Sequence, residues 1–345
     1  MKETNFLSES EKRYHTPTGR ILRRMMLGGV ILMLAVDSWS QQAPNYSQYT
    51  FNKFLINPAA AGYEGYTTVS LVAREQWVGF KGTPKTHSLS IDSRILRNSF
   101  ISKNASVRKK KRLSSRSGRV GWAANVFNDH TGPLDKTGIE GTYSYHLGFS
   151  SSQLSFGLSG MFYQFRLNKD KVVLSDDQYD PLVDGVKGTL YIPDANFGVL
   201  YAAQNYYGGF SIKQIFQSSI QFGDKGSSEY RFKRHYNFMA GYVYNLNDNF
   251  TLEPSFLLKI PTSTKAQFEL NTKVYYKQNY WAGLAYRTGK TMIFFFGLNY
   301  DKYYFGYAFD YSFDKLMNQT FGTHEFMAAI KFGDNARRYR WLNTY

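Results

Sequence analysis

The sequence predicts an all-β fold, a transmembrane outer-membrane β-barrel of about 14 antiparallel strands, and three observations carry that prediction. The 345-residue chain is polar on average, with a mean hydropathy of −0.43, yet it holds 28 Tyr, 28 Phe and 5 Trp. Beyond residue 40 it has no apolar run of the roughly 18 residues that a spanning helix needs. Apolar and polar residues also alternate along segment after segment, the period of a strand whose two faces meet different media. A spanning strand needs an apolar residue only at every second position, and barrels gather aromatic side chains at both interfaces. Low hydropathy and high aromaticity therefore belong together in such a fold.

The alternation is clearest from Ala266 to Tyr276. One face carries Ala266, Phe268, Leu270, Thr272, Val274 and Tyr276, and the other carries Gln267, Glu269, Asn271, Lys273 and Tyr275. From Tyr303 to Ser312, Tyr303, Phe305, Tyr307, Phe309 and Tyr311 oppose Tyr304, Gly306, Ala308, Asp310 and Ser312. Leu154, Phe156, Leu158 and Phe162 oppose Ser155, Gly157 and Ser159 in the same way. Extended along the chain, the pattern predicts strands near 67–77, 84–94, 119–129, 137–147, 153–166, 194–203, 206–213, 234–245, 249–260, 266–276, 279–287, 290–300, 302–312 and 323–333. A soluble sandwich would turn its apolar faces to a closed core, and about 14 strands make a barrel too wide for side chains alone to fill.

Long external loops should alternate with short periplasmic turns. The external connections are expected at about 78–83, 130–136, 167–193, 214–233, 261–265, 288–289 and 313–322, so the two longest fall on the outside. One connection, Ile95 to Gly118, is expected to be periplasmic and yet is long. It holds Arg97, Lys103, Arg108, Lys109, Lys110, Lys111, Arg112 and Arg116 with no acid among them, a large share of the formal charge of +16. Two readings stand: a solvated basic loop, or a periplasmic docking loop, centred on Arg108–Arg112, for an acidic partner or anionic headgroups. An exported barrel does not meet nucleic acid, so that partner class is set aside.

At the N-terminus Lys12, Arg13, Arg20, Arg23 and Arg24 precede the apolar stretch Met25–Val36, and Ser38 and Ser40 supply a small-x-small cleavage pattern. The expected organisation is a signal peptide at 1–40, an N-terminal motif segment at 41–66, the barrel at 67–333 and a tail at 334–345.

Little in the sequence points to chemistry. Cysteine is absent, which excludes thiolate metal sites, iron–sulfur clusters and thiol nucleophiles. His87, His130, His146, His235 and His324 lie in no zinc-type spacing, and His87 and Ser88, as strand neighbours, point to opposite faces. No G-x-S-x-G or phosphate-binding glycine loop occurs. Asp176, Asp177, Asp180 and Asp184 read as a solvated loop, since their spacing does not fit an EF-hand. The expectation is a non-enzyme with no cofactor and no metal. Charges of both signs are predicted to face the lumen: Arg74, Asp92, Glu253, Lys259, Glu269, Lys273, Arg287, Asp310, Glu325 and Lys331. They could close the pore as a paired network or line a wet channel.

Distinct motifs begin before the first strand. Gln48-Tyr49-Thr50-Phe51-Asn52 leads into Ile56-Asn57-Pro58-Ala59-Ala60-Ala61-Gly62, followed by Arg74-Glu75-Gln76-Trp77-Val78-Gly79-Phe80 and Gly82-Thr83-Pro84-Lys85-Thr86. Downstream come Asn128-Asp129, Gly132-Pro133, Pro193-Asp194, Arg234-His235-Tyr236, Leu284-Ala285-Tyr286-Arg287-Thr288-Gly289 and Gly322-Thr323-His324-Glu325. In order and over nearly the whole chain after residue 40, these resemble the PorP/SprF family of type IX secretion system membrane proteins of Bacteroidetes.

The resemblance implies an outer-membrane protein assisting export and surface retention of particular substrates, adhesin-like ones in gliding relatives. The partners it implies are outer-membrane lipid, the C-terminal domain of a secreted cargo protein and periplasmic components of the secretion machine. The alternative function is a passive porin or a transporter of small hydrophobic molecules. Asn57, Pro58, Gly62, Arg74, Trp77, Gly79, Phe80 and Pro84 are the candidate partner-binding or assembly residues. Asn57-Pro58 disfavours helix and Gly62 permits a turn, so residues around them should form an ordered, non-helical lead into the first strand, in the lumen or across the periplasmic mouth. Trp77, Gly79, Phe80 and Pro84 should form a tight external first turn.

Overall fold

The structure, a computed structural model, describes residues 46–95, 119–149, 151–168, 189–222, 228–262, 264–314 and 319–332. Their strands are β1 (Thr67–Glu75), β2 (Lys85–Ile95), β3 (Val120–Thr131), β4 (Leu134–Gly148), β5 (Ser152–Leu167), β6 (Thr189–Ala203), β7 (Tyr206–Lys213), β8 (Ser219–Phe222), β9 (Ser228–Arg231), β10 (His235–Tyr242), β11 (Tyr244–Asn245), β12 (Phe250–Pro261), β13 (Gln267–Tyr276), β14 (Tyr280–Arg287), β15 (Thr291–Tyr300), β16 (Tyr303–Ser312) and β17 (Thr323–Phe332). β8 and β9 form a separate hairpin, and β11 continues β10 past Val243. The other 14 strands pair antiparallel in chain order, and β1 pairs with β17 from Thr67↔Phe332 to Glu75↔His324, closing the ring.

Closure leaves a lumen and an exterior, and the alternation sorts side chains between them. On β13, Glu269, Asn271, Lys273 and Tyr275 are buried while Leu270, Thr272, Val274 and Tyr276 are exposed. This reverses the pattern of a soluble protein. Leu71, Leu89, Ile139, Leu158, Leu284, Phe296 and Phe326 add to the same outward apolar band, which a water-facing barrel would not present and a lipid-facing one requires.

The short β4–β5 connection and the turns at Gln204–Asn205, Lys277–Asn279 and Asp301–Lys302 mark one end of the barrel, the periplasmic end by the short-turn rule. The opposite, external end carries the nine-residue β1–β2 connection, the 214–234 connection with its β8–β9 hairpin, and the β16–β17 connection. Both the start of β1 and the end of β17 lie at the periplasmic end.

Several sequence expectations need correction. The connection expected at 130–136 is a turn at Gly132–Pro133, because β4 begins at Leu134. β6 begins at Thr189 rather than near 194, with Pro193 inside the strand opposite Phe162. The 214–233 loop contains a hairpin. Trp77, Gly79, Phe80 and Pro84 sit in a nine-residue loop, not a tight turn. The expected signal peptide, the basic Arg108–Arg112 loop, the Asp176–Asp184 cluster and the C-terminal tail lie outside the described residues.

The main cluster of buried apolar side chains lies inside the ring, around the residues that precede β1. Two 3-10 turns, Lys53–Leu55 and Pro58–Ala60, shape that segment, so the expected non-helical lead is in part helical. Proline at the first position of the second turn forfeits only an amide that would be unpaired anyway, and the Asn57 side chain caps it by accepting the Ala59 amide at 3.0 Å. Tyr49, Phe54, Leu55, Ile56, Ala59, Ala60 and Ala61 are buried against inward residues such as Leu200, Leu257, Trp281 and Ile293.

Candidate functional site: a plugged lumen

Residues 46–66 touch the wall on almost every side. On one side Ser47 and Gln48 donate their backbone amides to the Glu325 carboxylate, at 2.8 Å each. The Ser47 hydroxyl donates to Asp310 at 2.7 Å, and Arg74 donates to Ser47 Oγ (2.7 Å), Glu325 (3.1 Å) and Asp310 (2.8 Å). Arg287 extends the network to Glu269 (2.7 Å) and Asp310 (3.2 Å). Four strands, β1, β14, β16 and β17, and β13 through Glu269, thus converge on one serine. These groups are almost completely buried, where an uncompensated charge is expensive and a multiply bonded one is tolerated.

Across the ring, Asn57 bridges two further strands. Its Nδ2 donates to the Val199 carbonyl on β6 (2.9 Å) and the Phe210 carbonyl on β7 (3.2 Å). Three inward glycines make room for this approach. A β-carbon on Gly198 would stand 2.0 Å from Asn57 Oδ1, one on Gly209 2.6 Å from Asn57 Nδ2, and one on Gly157 2.2 Å from the Ala59 nitrogen. No side chain fits at such distances, so the glycines are the socket for Asn57-Pro58-Ala59.

Remaining contacts complete the circuit. Ser144 donates to the Ala61 carbonyl at 2.6 Å, with His146 Nε2 3.0 Å from the same oxygen. The Gly62 amide donates to Asp92 at 3.1 Å. Gly62 has φ +67, and a β-carbon there would also meet Ser93 O at 2.6 Å. Ser211 and Lys213 donate to the carbonyls of Ile56 and Leu55. Phe51 lies 4.5 Å from the Trp281 ring, with the Lys273 ammonium 4.6 Å above it. Lys273 itself pairs with Glu253 at 2.9 Å.

At the periplasmic side Glu64 accepts from Lys331 at 2.9 Å. Burial would raise the Glu64 carboxyl, but the attraction of Lys331 and Lys53 outweighs it and brings the group down to about 2. The open choice for the lumen charges is thereby answered at this level of the barrel: the chain's own segment fills the space, and most of the charges are paired around it.

Asn57, Pro58, Gly62 and Arg74 are brought together at this plug. Trp77, Gly79, Phe80 and Pro84 are elsewhere, at the external rim. There the β1–β2 loop is zipped to the β16–β17 loop by Val78 N–H donating to Gly322 O (2.9 Å) and Phe321 N–H to Val78 O (2.8 Å). Pro84 O accepts the Gln76 amide, and a β-carbon on Gly79 (φ +112) would press on the Phe321 ring at 3.3 Å. Trp77 and Phe80 are exposed there beside Phe321. Ser47 and the socket glycines escaped the sequence reading. A strand glycine in the inward phase can mark a close backbone approach, and that was the available signal.

Two cavities flank the plug. The external one, about 670 Å³ including solvent at its mouth, has Tyr46, Leu55 and Ile56 as its floor and Lys136, Tyr163, Lys213, His235 and Lys259 among its walls. The periplasmic one, about 310 Å³, lies by Lys53, Tyr63, Glu64 and Asp92. Among the described residues no group of side chains is arranged to hold a metal ion.

The model of a family described as type IX secretion system membrane protein PorP/SprF matches residues 38–330. A search of curated proteins gave no match. Similar solved structures include a deletion mutant of the TodX monoaromatic hydrocarbon channel, at 10% identity over 81% of this chain and 93% of that chain, TM-score 0.44. Others are the Pseudomonas putida toluene transporter TodX (9%, 81% and 91%, 0.40) and the NanC porin (10%, 77% and 99%, 0.35). Values this low leave the assignment to the family match and to the barrel itself. With that match over well more than half of the sequence, and a closed barrel of 14 strands with an apolar exterior, the chain belongs to the PorP/SprF family of type IX secretion system membrane proteins and resides in the outer membrane.

Proposed function

We propose that this protein is a non-enzymatic accessory of type IX secretion that assists export and surface retention of specific substrates, adhesin-like ones among them, by binding the cargo's C-terminal domain or components of the secretion machine. The observation that carries this reading is the plug. A lumen occupied by residues 46–66, bonded to strands around the ring, suits a scaffold that displays loops at both ends better than a conduit. The external rim built from Trp77–Phe80 and Phe321 is the candidate surface for cargo, and the basic Arg108–Arg112 loop is the candidate for periplasmic components. Passive conduction, as a porin or a hydrophobe transporter, would require the plug to leave.

Deletion of the gene tests the reading. Loss of one or a few proteins from the cell surface, with the remaining outer-membrane proteins and permeability unchanged, is the expected outcome. Normal export and display of all cargo in the deletion strain would refute it.

A further inference from the structure

We propose that the external cavity of the lumen is a binding site for a carboxylate, anchored by the ammonium of Lys136. The inference stands apart from the secretion role.

Lys136 is 6% exposed, on β4 three residues past the Gly132–Pro133 turn, and its side chain lines the cavity. Its Nζ lies 4.4 Å from the Tyr163 ring centroid and 5.1 Å from that of Phe232, and it makes no hydrogen bond. An ammonium carries three donors, and ring faces offset only part of the cost of burying them. The cations of the plug network differ. Arg74, Arg287, Lys273 and Lys331 each have a carboxylate, and Lys213 has the Leu55 carbonyl. None of the neighbouring acids pairs with Lys136: Glu140 accepts from Asn196 (2.9 Å), Asp129 from Thr86 (2.7 Å), and Asp194 from the amides of Ala195 and Phe216 through Oδ1, while its buried Oδ2 also lacks a hydrogen-bond donor. Lys213 and Lys259 line the same cavity, against Glu140 as the one acid.

The walls select the kind of anion. Phe127 and Tyr163 line the cavity with their rings, and ring faces carry partial negative charge. A tetrahedral phosphate or sulfate would turn oxygens toward those faces whichever way it sat. A carboxylate places both oxygens on one side and carbon on the other, so its oxygens meet Lys136 while its apolar neighbour meets the rings. Such a group comes either from the end of a polypeptide or from a free organic acid.

The test is titration calorimetry on the purified, full-length barrel in detergent. The probes are benzoate and acetyl-Gly-Ser-Gly-Ser-Phe with a free C-terminus, each against its neutral partner, benzamide or the peptide amide. At least one acid is expected to bind about tenfold or more tightly than its amide, the effect of one charge-assisted hydrogen bond. Lys136→Met, which keeps the aliphatic stem, should lose that preference, and Lys136→Arg should keep it, with heat-modifiable electrophoresis confirming that each variant is folded. Binding of the peptide acid alone identifies a polypeptide end; binding of benzoate alone identifies a free acid. Equal affinity of acid and amide, or no binding of either acid, overturns the proposal on the wild-type protein alone. An unchanged preference in folded Lys136→Met does so as well.

Discussion

The guanidinium of Arg74 and the carboxylate of Asp310 meet at 2.8 Å although a whole strand, β17, lies between the strands that carry them. Glu325, on that intervening strand, also bonds to Arg74, and the hydroxyl of Ser47 sits among all three. The first and last strands of the ring are therefore tied through the lumen as well as through their backbone ladder.

Replacing Arg74 by Met should destabilise the barrel by about 3–5 kcal/mol, because Asp310 and Glu325 would be left buried with less compensation. Urea unfolding of the detergent-solubilised protein, followed by tryptophan fluorescence, measures it. The double variant Arg74→Met with Asp310→Asn should lose less than the sum of the two single changes.

A methyl group at residue 198 cannot coexist with the seated Asn57. Gly198→Ala should leave a folded barrel but displace the plug, turning a silent protein in planar bilayers into a conducting one. Gly160→Ala, on the outward face with open space around it, should stay silent. Equal silence in both variants would mean that the plug accommodates the methyl group.

The Glu64–Lys331 pair has a defined acid limit. The Glu64 carboxyl is held at about 2, below its ordinary value of 4.5, so its contribution is fully present above about pH 4.5 and fades as pH falls through 2. A third of the Glu64 side chain stays accessible, so screening keeps the effect small. The difference in melting temperature between wild type and Glu64→Gln should be constant from pH 8 to 5 and shrink toward zero near pH 2. A difference that has vanished by pH 6 contradicts the assignment.

Leu158 lies on the outer face in the middle of β5 and is exposed. Leu158→Arg should cost about 2–4 kcal/mol if that point is near the bilayer midplane. Unfolding from lipid vesicles reads the loss, which should disappear in a water-facing setting.

The ring was legible wherever lipid and lumen impose contrasting demands on alternate residues, as on β13 and β16. It failed where that contrast ends or a residue masks it. At the start of β4 the outward position is Asp135, free to be polar above the bilayer, so the strand read as a loop and Lys136 was missed as an inward residue. At β6, Pro193 suppressed the strand signal, because a residue without an amide rarely sits inside a ladder. All ten lumen charges were placed on the correct strands by phase alone. Their partners were not, since pairing across the lumen depends on which strands face one another and on a serine that no periodicity marks. The motif residues were singled out together, yet they divide between the plug and the external rim, because Arg74 and Trp77 lie at different heights of one hairpin.

The Ser47–Glu325 contact joins residues 278 positions apart in the chain. Arg74 on β1, the socket glycines of β5 to β7 and Glu325 on β17 surround one segment only when the whole ring is in place. The full set of partners of residues 46–66 therefore exists only in a ring that has closed. Seating of residues 46–66 is consequently a readout of completed assembly, and a barrel stalled before its final strand would keep this segment loose.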